Sequence, residues 1–287
     1  LVGSEMCIRD RCLTGEEKVS FIEVRGLSFI YPDSTVALDG ISLDMEKGEN
    51  VAIIGQNGAG KTTMVKMLNG LLKPTKGNVN IGGWNTKDYT TAQMSRKVGY
   101  VFQNPMEQIF HNNVYDEIIF GPKKLKYSDN EIKKAAENAI EMTGLNEYIK
   151  ENPYNLPYSI RKFVTIAAII AMNTEVIIMD EPTAGQDLKG IKILNGLIGK
   201  LLEQGKTVIT ITHDMEFVVN NFERIIVMAN KKIIGDDNKK EIFKQDDILI
   251  QGKIKLPYIS ELAKELSMNR SILTIDDFVK DFKKFMD

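Results

Sequence analysis

The eight residues Gly55-Gln56-Asn57-Gly58-Ala59-Gly60-Lys61-Thr62 fit the spacing G-x-x-x-x-G-K-[ST]. Glycines at those positions let the backbone wind tightly, so that its N–H groups and the N-terminus of a following helix point at phosphate oxygens. In that pattern the Lys61 ammonium reaches the β- and γ-phosphates of a nucleotide, and the Thr62 hydroxyl holds Mg²⁺. A second constellation is Val176-Ile177-Ile178-Met179-Asp180-Glu181, four apolar residues delivering two carboxylates at the end of a strand. Asp180 can orient the hydration shell of Mg²⁺, and Glu181 can polarise an attacking water. A strand ending in acids also describes a solvated turn; the phosphate loop gives this pair its chemistry. His213 follows another apolar run, Val208 to Thr212, where an imidazole could contact a γ-phosphate or serve simply as a turn residue. His111 lacks such a setting and reads as a surface residue.

The elements that must position these groups are legible from periodicity. Val19 to Phe29 alternates loosely between apolar and polar, and Ile41 to Met45 strictly, as half-buried strands do. Val51 to Gly55 is an apolar burst before the glycine loop, and TTMVKMLNGLL after it has helical spacing, giving strand, loop, helix. Val176–Met179 and Val208–Ile211 lack alternation and read as parallel strands buried on both faces. Gly190 to Gln204 supplies the crossover helix between them, completing a βαβ unit of an α/β core. Residues 104–171 differ: EIKKAAENAIEMTGL and the ten apolar residues Phe163 to Met172 predict a helical insert. DDNKKEIFKQDDI, LPYISELAKEL and TIDDFVKDFKKF then predict a C-terminal helical extension over residues 236–287, each segment with an acidic or Ser/Thr helix start.

Composition narrows the function classes. With 37 Lys+Arg against 39 Asp+Glu, the net charge of −2 in 287 residues offers no overall footprint for nucleic acid. The longest apolar run is half the length a membrane-spanning helix needs. Two cysteines, Cys7 and Cys12, exclude a disulfide scaffold and fit a reducing compartment. Both lie in LVGSEMCIRDRC, which has neither helical nor strand period; residues 1–17 are expected to be non-native sequence or a disordered arm. The domain that carries these motifs is expected over residues 18–235.

These motifs, in this order, resemble an ATP-binding cassette (ABC) ATPase: the Walker A loop Gly55 to Thr63, Gln103 in VFQNP, the Walker B strand Val176 to Glu181, Ala184-Gly185-Gln186-Asp187 and Ile211-Thr212-His213-Asp214. The resemblance spans about residues 20 to 285. It implies an α/β P-loop NTPase fold with a mixed sheet, an antiparallel β subdomain, a helical subdomain at about 104–171 and a small C-terminal appendage. It further implies that Tyr31 stacks on adenine rather than being only a strand aromatic. Gly55, Asn57, Gly58, Ala59, Gly60, Lys61, Thr62 and Thr63 would hold ATP, with Mg²⁺ on Thr62, Gln103 and Asp180. Glu181, His213 and Gln103 would serve hydrolysis, and Asp187 would communicate across a dimer.

FQNPMEQIFHNNVYDEIIFGP, Phe102 to Pro122, is similar to the segment following the Gln in energy-coupling factor (ECF) and cobalt-type importer ATPases. Leu256-Pro257-Tyr258 and the helices after it resemble that subfamily's C-terminal end. The resemblance implies work at the cytoplasmic face of a cell membrane with a transmembrane coupling subunit and a separate substrate-binding membrane subunit, taking up a vitamin or transition-metal ion. Met106, Ile109 and Phe110 would line the groove for coupling helices, or belong to the subdomain core. Alternatives are the nucleotide-binding subunit of another ABC importer, or a nucleotide-gated interaction module with little hydrolysis.

One segment departs from the family. Where the family carries L-S-G-G-Q, capping the γ-phosphate held by the opposite subunit, this chain has Leu156-Pro157-Tyr158-Ser159-Ile160. Pro157 removes a backbone donor, Tyr158 adds bulk where close approach is needed, and Ile160 replaces a polar side chain; Ser159 retains a hydroxyl. Gln186 and Leu188 replace the Leu and Pro usual around the aspartate Asp187. The expectation is a heterodimer with a second ABC ATPase subunit whose signature is intact.

Overall fold

Val176–Asp180 and Thr207–Ile211 are buried at every position, as strands covered on both faces must be. They are neighbouring interior strands of a six-stranded sheet in the computed structural model of the chain, which describes residues 20–268 and 271–286. The arm expected over residues 1–17 lies outside the described residues. Strands β1 (Ile22–Ile30), β2 (Val36–Met45) and β3 (Asn50–Gly55) precede α1 (Lys61–Leu68), β4 (Lys76–Ile81), β5 (Trp84–Asn85), α2 (Thr91–Met94) and β6 (Val98–Val101). Three helices follow: α3 (Val114–Lys124), α4 (Asp129–Thr143) and α5 (Tyr158–Ala171). The chain returns through β7 (Val176–Asp180), α6 (Leu188–Glu203), β8 (Thr207–Ile211), α7 (Met215–Asn221), β9 (Arg224–Ala229) and β10 (Lys232–Asn238). It ends in α8 (Lys239–Lys244), α9 (Asp246–Gly252), α10 (Tyr258–Glu265) and α11 (Ile275–Met286).

The larger sheet has the order β10-β9-β3-β8-β7-β6 and is mixed, with only β9–β10 antiparallel; the smaller, β2-β1-β4-β5, is antiparallel. Alternation within the parallel strands sorts their side chains between two cores. Ile177, Met179 and Val208 pack with α3 to α7, whereas Val176, Ile178, Ile209 and Ile211 pack with α1 and the antiparallel sheet. This two-layered covering is the α/β architecture the motifs imply. In α4, Ser128 and Glu131 form a capping box and Gly144, at φ 70°, ends the helix.

Register brings the chemistry to one edge. Ile53 pairs with Ile211, Gly55 with Met228 and Asp180 with Ile211, so the loops after β3, β7 and β8 leave the sheet side by side, with the loop after β6 beyond. Ligands of open α/β sheets bind at such carboxyl ends.

Several boundaries differ from the periodic reading. Helix α1 stops at Leu68, because Asn69 and Gly70 (φ 73°) turn the chain before Leu71 and Leu72. Helix α6 starts at Leu188, two residues before Gly190, since Asp187 caps it there. The expected division after residue 235 falls inside β10. DDNKKEIFKQDDI breaks at Gln245 into α8 and α9, and α10 begins behind Pro257 with no side-chain cap of its own. Instead the Tyr258 N–H donates to Glu216 Oε1 on α7 at 2.9 Å.

Candidate functional site

The loop between β3 and α1 winds as its glycines allow. Gly60 has φ 101°, and a Cβ there would lie 2.5 Å from the Ala37 carbonyl oxygen, so no other residue fits without moving β2. A cleft of about 550 Å³ opens beside it, lined by Tyr31, Asn57, Gly58, Gly60, Lys61, Thr62 and Thr63 from one wall and Gln103, Asp180 and Glu181 from the other. Ala59, grouped with the loop in the sequence, turns its methyl into the core and its N–H to the Gln56 carbonyl at 3.2 Å. Gly55 contributes from below, its carbonyl accepting from Lys61 Nζ at 2.7 Å; Gln56 accepts from the same ammonium at 3.0 Å. Burial lowers the Lys61 pKa, opposed by the charges of Glu181 and Asp180. Tyr31, just beyond β1, meets Phe29 edge-on and shares a hydrogen bond of 3.1 Å with the Thr63 hydroxyl, which places its ring at the cleft.

The acid pair divides its work. Asp180 is buried, and its Oδ2 accepts from Thr62 Oγ1 at 3.0 Å and from Tyr100 Oη at 2.9 Å. Burial and Asp180 together drive the Tyr100 pKa far up, so the phenol stays a donor. A hydroxyl and a carboxylate in contact are hard oxygen donors suited to Mg²⁺, which takes one or two protein oxygens plus substrate phosphates. Thr62 and Asp180 therefore fit that ion. Among the described residues no group of three or more His, Cys, Asp or Glu converges, and such a site needs none.

Glu181 sits at φ 47°, a left-handed conformation that costs energy for any residue but glycine. Its N–H donates to the Ile211 carbonyl at 2.8 Å, anchoring the turn to β8. The buried Oε2 has no aligned hydrogen-bond donor, although His213 Nδ1 lies 2.9 Å away. Thus Glu181 lines the cleft with its Oε2 turned to His213, whose side chain is 77% exposed and is not part of the cleft lining.

Asp187 lies outside this cleft and caps α6, accepting from the Gly190 N–H at 2.7 Å. Leu156 is buried, while Pro157 and Tyr158 are exposed and Ser159 and Ile160 half-buried at the start of α5. Of the three groove candidates, Met106 and Phe110 are exposed and Ile109 is core. His111 corrects the surface reading: it is half-buried, with Nδ1 3.1 Å from the buried Glu117 carboxylate and its ring against Phe110 and Phe120.

Two participants escaped the sequence reading. Tyr100 is one; the other is Lys162, fully buried, whose Nζ donates to the carbonyls of Phe102 and Gln103 at 2.8 Å each and of Asp180 at 2.9 Å. It joins the ends of β6 and β7 just where their ladder stops. Its signal was a lone lysine heading an apolar helix.

A sequence profile described as ABC transporter matches residues 38–184. The chain belongs to the ABC transporter family. It is an ATP-hydrolysing ABC subunit with the fold of that family. The Energy-coupling factor transporter ATP-binding protein EcfA of Methanosphaera stadtmanae is 36% identical over 255 residues, which are 88% of this chain and 92% of that one. Among solved structures, cbiO1 from Clostridium perfringens, described as part of the ABC transporter complex cbiONQ, superposes with a TM-score of 0.72 at 32% identity, covering 85% of this chain and 99% of that one. An ATP-binding cassette solved as a dimer with ADP and Pi gives a TM-score of 0.69 at 29% identity, covering 76% and 98%.

Proposed function

We propose that this ABC ATPase energises an ECF-type importer of a vitamin or transition-metal ion from the cytoplasmic face of the cell membrane, as one half of an asymmetric ATPase heterodimer. The observation that carries the proposal is an intact nucleotide cleft in the same chain as the altered segment Leu156 to Ile160. The EcfA and cbiO1 likenesses support the importer class, and the cassette dimer supports a two-subunit ATPase. No described helix is long and apolar enough to cross a membrane, in keeping with separate membrane partners: a transmembrane coupling subunit, received at exposed Met106 and Phe110, and a substrate-binding subunit.

In this reading Lys61 exchanges the carbonyls of Gly55 and Gln56 for β- and γ-phosphate oxygens, while Tyr31 meets the adenine. Thr62 and Asp180 would hold Mg²⁺, which neutralises phosphate charge when bound, and Gln103 completes that side of the cleft. Glu181, whose Oε2 lies 2.9 Å from His213 Nδ1, takes the proton of the attacking water, and His213 steadies the water and the γ-phosphate. Asp187 serves the partner across the interface. The partner's own ATP faces a poorer cap: helix α5 still offers the N–H groups of Tyr158, Ser159 and Ile160, but Pro157 has none and no side chain caps the helix. Losing one preorganised donor costs on the order of 3 kcal/mol, about a hundredfold in rate.

The test is turnover of the purified heteromeric transporter carrying a lysine substitution on either ATPase. Lys61→Ala abolishes turnover, whereas the same change in the partner's phosphate loop leaves substantial activity. The opposite ranking, or vigorous hydrolysis by this chain alone, refutes the asymmetric arrangement. The altered segment also favours a second reading, a nucleotide-gated interaction module; it requires that neither substitution changes an already negligible turnover.

A further inference from the structure

We propose that the residues standing in place of the signature act within their own chain, with Tyr158 and Gln186 fastening the segment after β6 to the segment after β7 so that Gln103 and Asp187 are positioned as one unit. Tyr158 and Lys162 are one turn apart on α5 and share a face. Tyr158 Oη donates to the Gln103 carbonyl at 3.2 Å, and Lys162 Nζ donates to the same oxygen at 2.8 Å. The tyrosine ring then covers Gly185, where an added Cβ would lie 2.8 Å from Cδ1. Gly185 has φ 73°, so both its backbone and its missing side chain suit the ring.

The return connection is made by Gln186. Its Nε2 donates to the Ser159 carbonyl at 3.1 Å, and its buried Oε1 rests over Gly190, where a side chain would collide with it. Asp187 follows directly and caps α6 through Gly190. The first turn of α5 thus holds Gln103 on one side and Gly185 to Gln186 on the other. A glycine at position 158 would supply neither ring nor hydroxyl, and a leucine at 186 would supply no amide. The two departures from the family pattern therefore meet in one connection. What the connection serves rests on the roles proposed above for Gln103 and Asp187; its existence does not.

Hydrogen exchange of the full chain, without nucleotide or partner, tests it with Tyr158→Phe and Gln186→Leu. Tyr158→Phe keeps the ring and deletes the donor; Gln186→Leu keeps the bulk and deletes the amide. A positioning unit predicts cross-effects: Tyr158→Phe speeds exchange over residues 183–190, and Gln186→Leu speeds it over 102–108, each by about three- to tenfold, the range of one lost hydrogen bond. Helix α4 keeps its protection in both variants. The double variant gives less than the product of the two factors, because either change already breaks the unit. Effects confined to the substituted segment, a general rise that includes α4, or singles that multiply would overturn the proposal. As no turnover is measured, failure of the importer reading leaves this result interpretable.

Discussion

Replacing Lys162 with methionine removes a charge that the fold has buried completely, and pH exposes the consequence. Burial pushes the ammonium down to about 8 from 10.5, against the pull of Asp180 and Glu181. Between those two values the unfolded chain carries a proton that the folded chain has released, so wild-type stability rises with pH through the window and levels off above it. For this one site the gain from pH 7 to pH 9 is on the order of 1 kcal/mol. Lys162→Met cannot show it. In the variant the carbonyls of Phe102 and Asp180 lose this donor, at about 1 kcal/mol each, while that of Gln103 keeps Tyr158 Oη; the loss sets the offset between the two proteins, and the pH dependence comes from the proton that only the lysine can release. Lys61 and Tyr100 lie in the same region and are present in both proteins, so the quantity read is the difference between the two pH profiles rather than either profile alone. Urea unfolding of both proteins at pH 7, 8 and 9, in chelator and without nucleotide, gives the comparison. Wild type should gain on the variant by on the order of 1 kcal/mol across that range; parallel pH dependences, or a gain of the variant on wild type, would refute the reasoning.

Two further substitutions address the cleft. Lys61→Ala weakens Mg-ATP binding roughly ten- to a hundredfold through loss of a charge-assisted contact; unchanged affinity by calorimetry would count against the assignment. Glu181→Gln keeps nucleotide affinity within a few-fold but slows hydrolysis by about a hundredfold or more in the assembled transporter, because an amide is a poor proton acceptor; wild-type turnover would remove Glu181 from the role.

The parts of the site that could be read in the sequence are those where backbone geometry dictates residue type. Gly60 is forced by its left-handed φ and by the Ala37 carbonyl, and Asp180 and Glu181 terminate a strand whose burial on both faces leaves only its end for polar groups. Such constraints are local, so a single chain records them. Lys162 and Tyr100 are constrained by partners 60 and 80 residues away. In isolation one is a charged residue in a helix's first turns, and the other a strand aromatic. The length of α1 was misread for the converse reason: Leu71 and Leu72 continue a helical spacing, but the Asn69-Gly70 turn interrupts it. Likewise Glu117, buried within α3, draws His111 inward by taking its N–H and ring nitrogen together, a contact no spacing rule anticipates.

Segment 156–160 shows why departure from a pattern and loss of structure are separate matters. A stretch released from its requirements has no reason to fit its surroundings, whereas Tyr158 meets a glycine at 185 and Gln186 meets a glycine at 190, each where a Cβ would collide. The ring of Tyr158 packs over Gly185, which its φ of 73° already reserves for glycine, the Gln186 side chain uses the space over Gly190, and the amide of Gln186 reaches the backbone beside Tyr158. Pro157, by contrast, removes a donor and returns no hydrogen bond through its side chain; its carbonyl serves only the Arg161 N–H of the first helical turn. In the proposed pair the cost of the departure would fall on the nucleotide that α5 faces, whereas the contacts of Tyr158 and Gln186 lie inside this chain. In the asymmetric pair proposed above, that division would let this subunit give up the cap it owes its partner while keeping its own Gln103, Asp180 and Glu181 in register.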